Sequence, residues 1–154
     1  MAGSGVFPKS DGDIAFAADY NRMDIKFATA TWTSTTPTSS TSYGDVTDAT
    51  VTISGLDATY TYILETIADF HIDAVLGEKT IVQIVVNGTA SGETESQGQT
   101  ASTSRCPASL HGTQTVTGAT SYTAKLQIKS GSGTSVSSNP DGLTCRITIK
   151  ALKQ

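Results

Sequence analysis

Two stretches toward the C-terminal end of the chain restrict its fold more than any other feature. From Tyr122 to Lys129 the apolar residues Tyr122, Ala124, Leu126 and Ile128 alternate with Thr123, Lys125, Gln127 and Lys129. From Leu143 to Lys150 the set Leu143, Cys145, Ile147 and Ile149 alternates with Thr144, Arg146, Thr148 and Lys150. Successive side chains on an extended chain leave from opposite faces, so each run has one dry face and one wet face. A helix would scatter the same residues around its circumference. The alternation predicts two core-forming strands of an antiparallel β fold, with the rest of the chain arranged around that wall.

A chain of 154 residues is about one domain, long enough to bury roughly two-thirds of its unfolded surface without a metal or disulfide staple. It is rich in Thr, Ser and Gly, and only 16% of it is charged, a composition that favours strands over helices. The net charge of −4 argues against nucleic-acid binding, which normally shows a concentrated basic footprint. No run approaches the roughly 20 apolar residues that cross a bilayer, and Met1 to Lys9 lacks the basic start and apolar middle of a secretory signal. The chain therefore reads as soluble, made in the cytoplasm, without membrane insertion. Cys106 and Cys145 permit one disulfide without requiring it, since a buried thiol also serves as a small hydrophobe.

Residues 1–24 differ in character from the rest of the chain. Asp11-Gly12-Asp13 precedes a short helical candidate, Ala15 to Met23, and the apolar residues of the segment, Ile14, Phe16, Ala17, Tyr20 and Met23, need another surface to cover them. The segment reads as an arm that docks on a neighbour or on its own domain, residues 25–154.

Within that domain, strands are expected at Lys26 to Thr33, Ala49 to Ser54, Thr59 to Phe70, Thr80 to Val86 and Ser109 to Val116, besides the terminal pair. Ser34 to Asp45 is expected to be a mobile surface excursion. Thr59 to Phe70 carries Tyr60, Tyr62, Leu64 and Ala68 on one face and Ile63 and Ile67 on the other; Val82, Ile84 and Val86 likewise oppose Ile81 and Val85. A strand apolar on both faces is covered on its outer side or joins a subunit interface. Tyr60, Tyr62, Leu64, Val82, Ile84 and Val86 are accordingly the candidates for an oligomer interface. Asn87-Gly88 is a two-residue hairpin signal, which outweighs the Asn87-Gly88-Thr89 glycosylation sequon. Ala90 to Ser104 is polar and poorly patterned, an edge strand or a loop. Seven or eight strands with short turn spacing describe a two-sheet sandwich or jelly roll.

Chemistry finds no good candidate. His71 and His111 stand in no metal-ligand spacing with the cysteines, and no nucleophile-elbow pattern marks one serine among many. The acidic group Asp11, Asp13, Asp19 and Asp24 lacks the ligand periodicity of an EF-hand. Glu65 and Asp69 share one strand face, as a glycosidase pair would, but charges near a strand end are usually its wet side. Trp32, Tyr43 or Tyr122 would stack on sugars if exposed, although a lone Trp among strands usually belongs to the core. No catalytic residue, metal or cofactor is assigned.

The segment Ser109 to Leu152, with Gly118, Leu126, Gln127, Lys129, Gly131, Gly133 and Leu143 at the matching positions, resembles the closing strands of the TNF-like or C1q-like jelly rolls of bacteriophage tail and head appendage proteins. Gly12 to Met23, GDIAFAADYNRM, is similar to a short stretch near the N-termini of phage tail-fibre proteins. The resemblance covers about a quarter of the chain at one end and one short motif at the other. It implies an all-β antiparallel jelly-roll sandwich that forms a homotrimer, with the arm residues Ile14, Phe16, Tyr20 and Met23 attaching it to other virion structural proteins. The expectation is a noncatalytic virion protein, a tail or head fibre or decoration protein. The alternatives are a tip protein binding a host-surface glycan or receptor through Ser34 to Asp45 and Ser130 to Gly142, and a small glycan hydrolase using Glu65. The aromatic-rich centre of such trimers is thinly represented, by Tyr60, Tyr62 and Phe70.

Overall fold

The computed structural model describes residues 25–74, 77–97 and 104–154. The arm, its helical candidate and the attachment residues Ile14, Phe16, Tyr20 and Met23 lie outside the described residues. The described part is all-β, as the alternation requires: two antiparallel sheets packed face to face.

One sheet holds β1 (Ile25–Trp32), β10 (Cys145–Lys153), β4 (Thr61–Ala74) and β7 (Ser104–Thr117), side by side in that order. The other runs β3 (Gly44–Ser54), β8 (Ser121–Ser130), β5 (Lys79–Val86), β6 (Thr89–Gln97). Two three-residue strands extend the first sheet at one end: β9 (Val136–Ser138) pairs with Ile72 and Asp73 of β4, and β2 (Thr36–Thr38) pairs with β9. The pairing of the eight long strands is nested. First pairs with last, second with seventh, third with sixth, and fourth with fifth, as though one long hairpin had been wrapped around itself.

The tip of that hairpin is Asn87-Gly88, where both residues take positive φ, 46° and 85°. That geometry matches the twist of the flanking strands, and the sequence signal is realised. Asn87 is anchored further: its backbone N–H donates to Thr123 O at 3.0 Å and its Oδ1 accepts from Thr123 N at 2.9 Å.

The core lies between the sheets. Tyr122, Ala124, Leu126 and Ile128 of β8 and Cys145, Ile147, Ile149 and Ala151 of β10 are all buried. The two runs that most constrained the fold are therefore inward faces of opposite sheets, and the segment between them crosses from one layer to the other. Leu143, expected on the dry face, precedes β10 and is 46% exposed. Trp32 is core, at 3%. Both cysteines are free, and burial pushes the Cys145 thiol up from its ordinary pKa, so it stays a packed, protonated hydrophobe.

Two stretches differ from expectation, and a third, left open, is an edge strand. Ser34 to Asp45, expected to be a mobile excursion, contains β2, because Thr36 to Thr38 finds backbone partners on β9. Ala90 to Ser104, expected to be an edge strand or a loop, contains most of β6, the edge strand of its sheet, whose polar sequence is held in register by its backbone pairing to β5. Finally, Tyr62, Leu64, Val82, Ile84 and Val86, expected to need a second copy to cover them, are covered by the chain's own opposite sheet, none more than 2% exposed. That correction follows from counting faces: a sandwich supplies one cover per strand, and these residues use it.

Candidate functional site

With one face of each sheet committed to the core, any function carried by the described residues must sit on the outer faces or the ends. The two outer faces are unlike. On the second sheet, Gln83 Nε2 donates to Gln127 Oε1 at 2.8 Å, while Gln127 Nε2 and Lys125 Nζ donate to the two oxygens of Asp45 at 2.8 and 2.7 Å. The donors hold the Asp45 carboxyl below its usual range, with Lys125 first and Gln127 second. Tyr43 lies across Lys129, 4.3 Å from nitrogen to ring centre, and donates its hydroxyl to Glu93. This face is a polar ladder closed on itself.

The outer face of the first sheet can be read as rows across β1, β10, β4 and β7. The rows are Ile25-Leu152-Ile63-Thr115, Phe27-Lys150-Glu65-Thr113, Thr29-Thr148-Ile67-His111 and Thr31-Arg146-Asp69-Ser109. Three large apolar side chains stand in the open here: Phe27 at 75%, Ile25 at 51% and Ile67 at 45%. The cations of β10 are paired to the anions of β4, Lys150 to Glu65 at 3.1 Å and Arg146 to Asp69 at 3.0 Å. Thr29 and Thr148 share a hydroxyl hydrogen bond of 3.0 Å between them. Period-2 logic explains the set: Ile63 and Ile67 fall out of phase with Leu64 and Ala68, so they are the surplus apolar residues of the two-sided strand. Tyr60, the remaining interface candidate, is 41% exposed just before β4, with Lys153 3.4 Å above its ring.

At the end of this face an open recess is lined by Asp69, His71, Pro107, Ser109 and Thr144. Asp69 Oδ1 accepts from Ser109 Oγ at 2.9 Å while its Oδ2 accepts from Arg146. The serine hydroxyl is thus directed at the carboxylate and not at His71. Glu65 and Asp69 do share one face as expected, each held against a cation. Asp69 thus stands between a serine hydroxyl and a guanidinium, and Glu65 against an ammonium.

The two loops assigned to glycan recognition are brought together at one end by the pairing of β2 with β9. They are tied by Ser130 N to Ser40 O at 2.8 Å and by Thr35 Oγ1 to Asn139 O at 2.7 Å. Glu78, 4% exposed, fixes the second loop: its carboxylate accepts from the hydroxyl and backbone N–H of Ser132 and from the hydroxyl of Ser130. These donors, the Ser132 hydroxyl foremost, outweigh the burial that opposes them and hold its pKa down to about 2. Sequence reasoning misses Glu78 because its partners lie more than fifty positions away. It also treats Phe27 only as a large residue of its strand, although its phase opposite to Trp32, an odd number of positions away, is a signal that it faces outward.

Among the described residues, no group of three His, Cys, Asp or Glu side chains is placed to hold a metal ion, and no helix is long and apolar enough to cross a membrane. No protein-family model matches the chain, and no curated protein matches it either.

Proposed function

We propose that this chain is a noncatalytic structural protein of a phage virion, a fibre or decoration protein whose β domain is a jelly roll and whose leading arm, residues 1–24, mounts it on the particle. One observation carries the reading. The carboxylates placed where chemistry would be sought, Glu65, Asp69 and Glu78, are tied into structural pairs, while the outer face of the first sheet keeps Ile25, Phe27 and Ile67 open. Contact surface, rather than a reaction centre, is what such a face offers. The nested pairing of first strand with last supports the jelly-roll reading. The likeness of Gly12 to Met23 to the tail-fibre stretch supports virion mounting. A threefold arrangement rests on the resemblance to TNF-like domains alone.

The test is particle incorporation. Chains lacking residues 1–24 are expected to give a folded β domain that is missing from purified particles. Incorporation at the level of the full chain overturns the mounting role.

A second reading, a tip that binds host-surface glycans, is favoured by the convergence of residues 34–45 and 130–142 at one end of the sandwich, near the recess at Asp69, His71 and Ser109. Glycan-array binding that is lost when those loops are trimmed would establish it in place of the first.

A further inference from the structure

The outer face of the first sheet is charged in columns. Arg146 and Lys150 point outward from β10, and Glu65 and Asp69 point outward from the adjacent β4, in matching rows. A column of cations lying beside a column of anions is self-complementary under one operation only. A two-fold axis parallel to the strands, running between β10 and β4, lays each copy's Lys150 over the other copy's Glu65 and each Arg146 over the other's Asp69. An axis perpendicular to the strands would set like charge on like. The same parallel axis brings Leu152 of each copy over Ile63 of the other.

We infer that this face is a two-fold contact between copies of the chain, closed by Ile25, Phe27, Ile63, Ile67 and Leu152 and aligned by the paired columns. The inference stands on the face itself, apart from the virion reading. Its size is adequate. Four strands about 4.8 Å apart and about 23 Å long span roughly 450 Å² of flat sheet. Two such faces, once side-chain relief is counted, reach the roughly 1,000 Å² total above which specific interfaces begin. Aligned packing of twisted sheets is an ordinary arrangement, and an isologous two-fold is the commonest symmetry of homo-oligomers. The columns are already neutralised within each chain, so their part is register and rejection of wrong orientations, while the apolar residues supply the attraction. Among the described residues, the outer face of the second sheet has no comparable exposed set.

The experiment uses the full chain and two charge variants. Glu65→Lys with Asp69→Lys makes the face wholly cationic; Arg146→Glu with Lys150→Glu makes it wholly anionic. All four positions are on the surface, so each variant is expected to keep its β circular dichroism and a cooperative melt. In sedimentation equilibrium the unchanged chain is expected to form even-numbered species, a pair or, with a threefold contact as well, a hexamer. Each variant alone should lose the pairing, and an equimolar mixture of the two should regain it as a one-to-one complex. Phe27→Glu should abolish pairing while leaving the melt in place. A monomer at every concentration, a trimer that the charge variants leave intact, or a mixture that fails to associate overturns the inference. Incorporation into particles reads the proposed function separately, so pairing without incorporation would sink that reading and leave this one.

Discussion

Glu78 shows what a single residue contributes to the shape of the loop end. Its carboxyl is held at about 2, against an ordinary 4.5, by hydroxyl and backbone donors of Ser132, Ser130 and Lys79. As pH falls, the unfolded chain takes up the proton first. The stability that Glu78 contributes is therefore whole above about pH 4.5, declines as pH falls from there toward about 2, and is gone below. Asp45 and Asp57 are lowered too, so the contribution of Glu78 must be read by difference. Urea denaturation of the wild type and of Glu78→Gln, compared from pH 7 to pH 2, should show the wild type more stable at neutral pH and the two curves converging in that window. Parallel curves at every pH would remove Glu78 as the anchor of this loop. Asn87 and Gly88 are legible in the sequence because a two-residue turn announces itself in adjacent positions. Glu78 is not, because a buried carboxylate is explained by donors that only the fold brings near.

Elements are legible in proportion to how much apolar surface they alternate. The ends of β8 and β10 fall within two or three residues of where alternation predicts them, whereas β6, which offers almost no apolar side chains, has no pattern to separate strand from loop. What holds β6 beyond its pairing with β5 is a seam to β7. A Cβ on Gly92 would stand 2.7 Å from His111 O, and one on Gly112 would stand 2.6 Å from Ser91 O. Two backbones from different sheets therefore pass closer there than any side chain allows. Ser91 Oγ donates to Thr113 O at 3.1 Å across the same seam. Gly112→Ala should force β6 away from β7 and cost about 1–3 kcal/mol, the usual range for overpacking. Gly44→Ala, where nothing lies within 4 Å, should stay within about 0.5 kcal/mol of wild type. Chemical denaturation of both variants decides it, and equal effects would mean that the seam is not tight. The two-sided strands teach a related lesson: their surplus apolar residues are visible as surplus in the sequence, but which face the chain itself covers depends on the opposite sheet.

At the scale of the molecule, nested pairing makes the two ends of the β domain neighbours. β1 lies on β10 from Ile25↔Leu152 to Trp32↔Cys145, and β10 lies on β4 along its other edge. The last of these strands is thus interior to its sheet, with Ile147, Ile149 and Ala151 fully buried. Nothing in local sequence announces that position, since a terminal strand reads the same whether it closes an edge or sits between two neighbours. The consequence is an asymmetry between the two ends. Removing residues 1–24 takes away none of the described core and should leave the melting transition of the β domain in place. Removing residues 145–154 strips β1 of its partner, exposes an edge of β4 and opens the core to water, a loss far beyond the roughly 5–15 kcal/mol that a domain of this size holds in reserve. The shortened chain should show no cooperative melt and no native circular dichroism. Supplying residues 143–154 as a separate peptide should restore the transition in a concentration-dependent way, because the missing strand then enters by binding. A cooperative melt in the chain ending at residue 144, without the peptide, would mean that the sheet closes without its last strand.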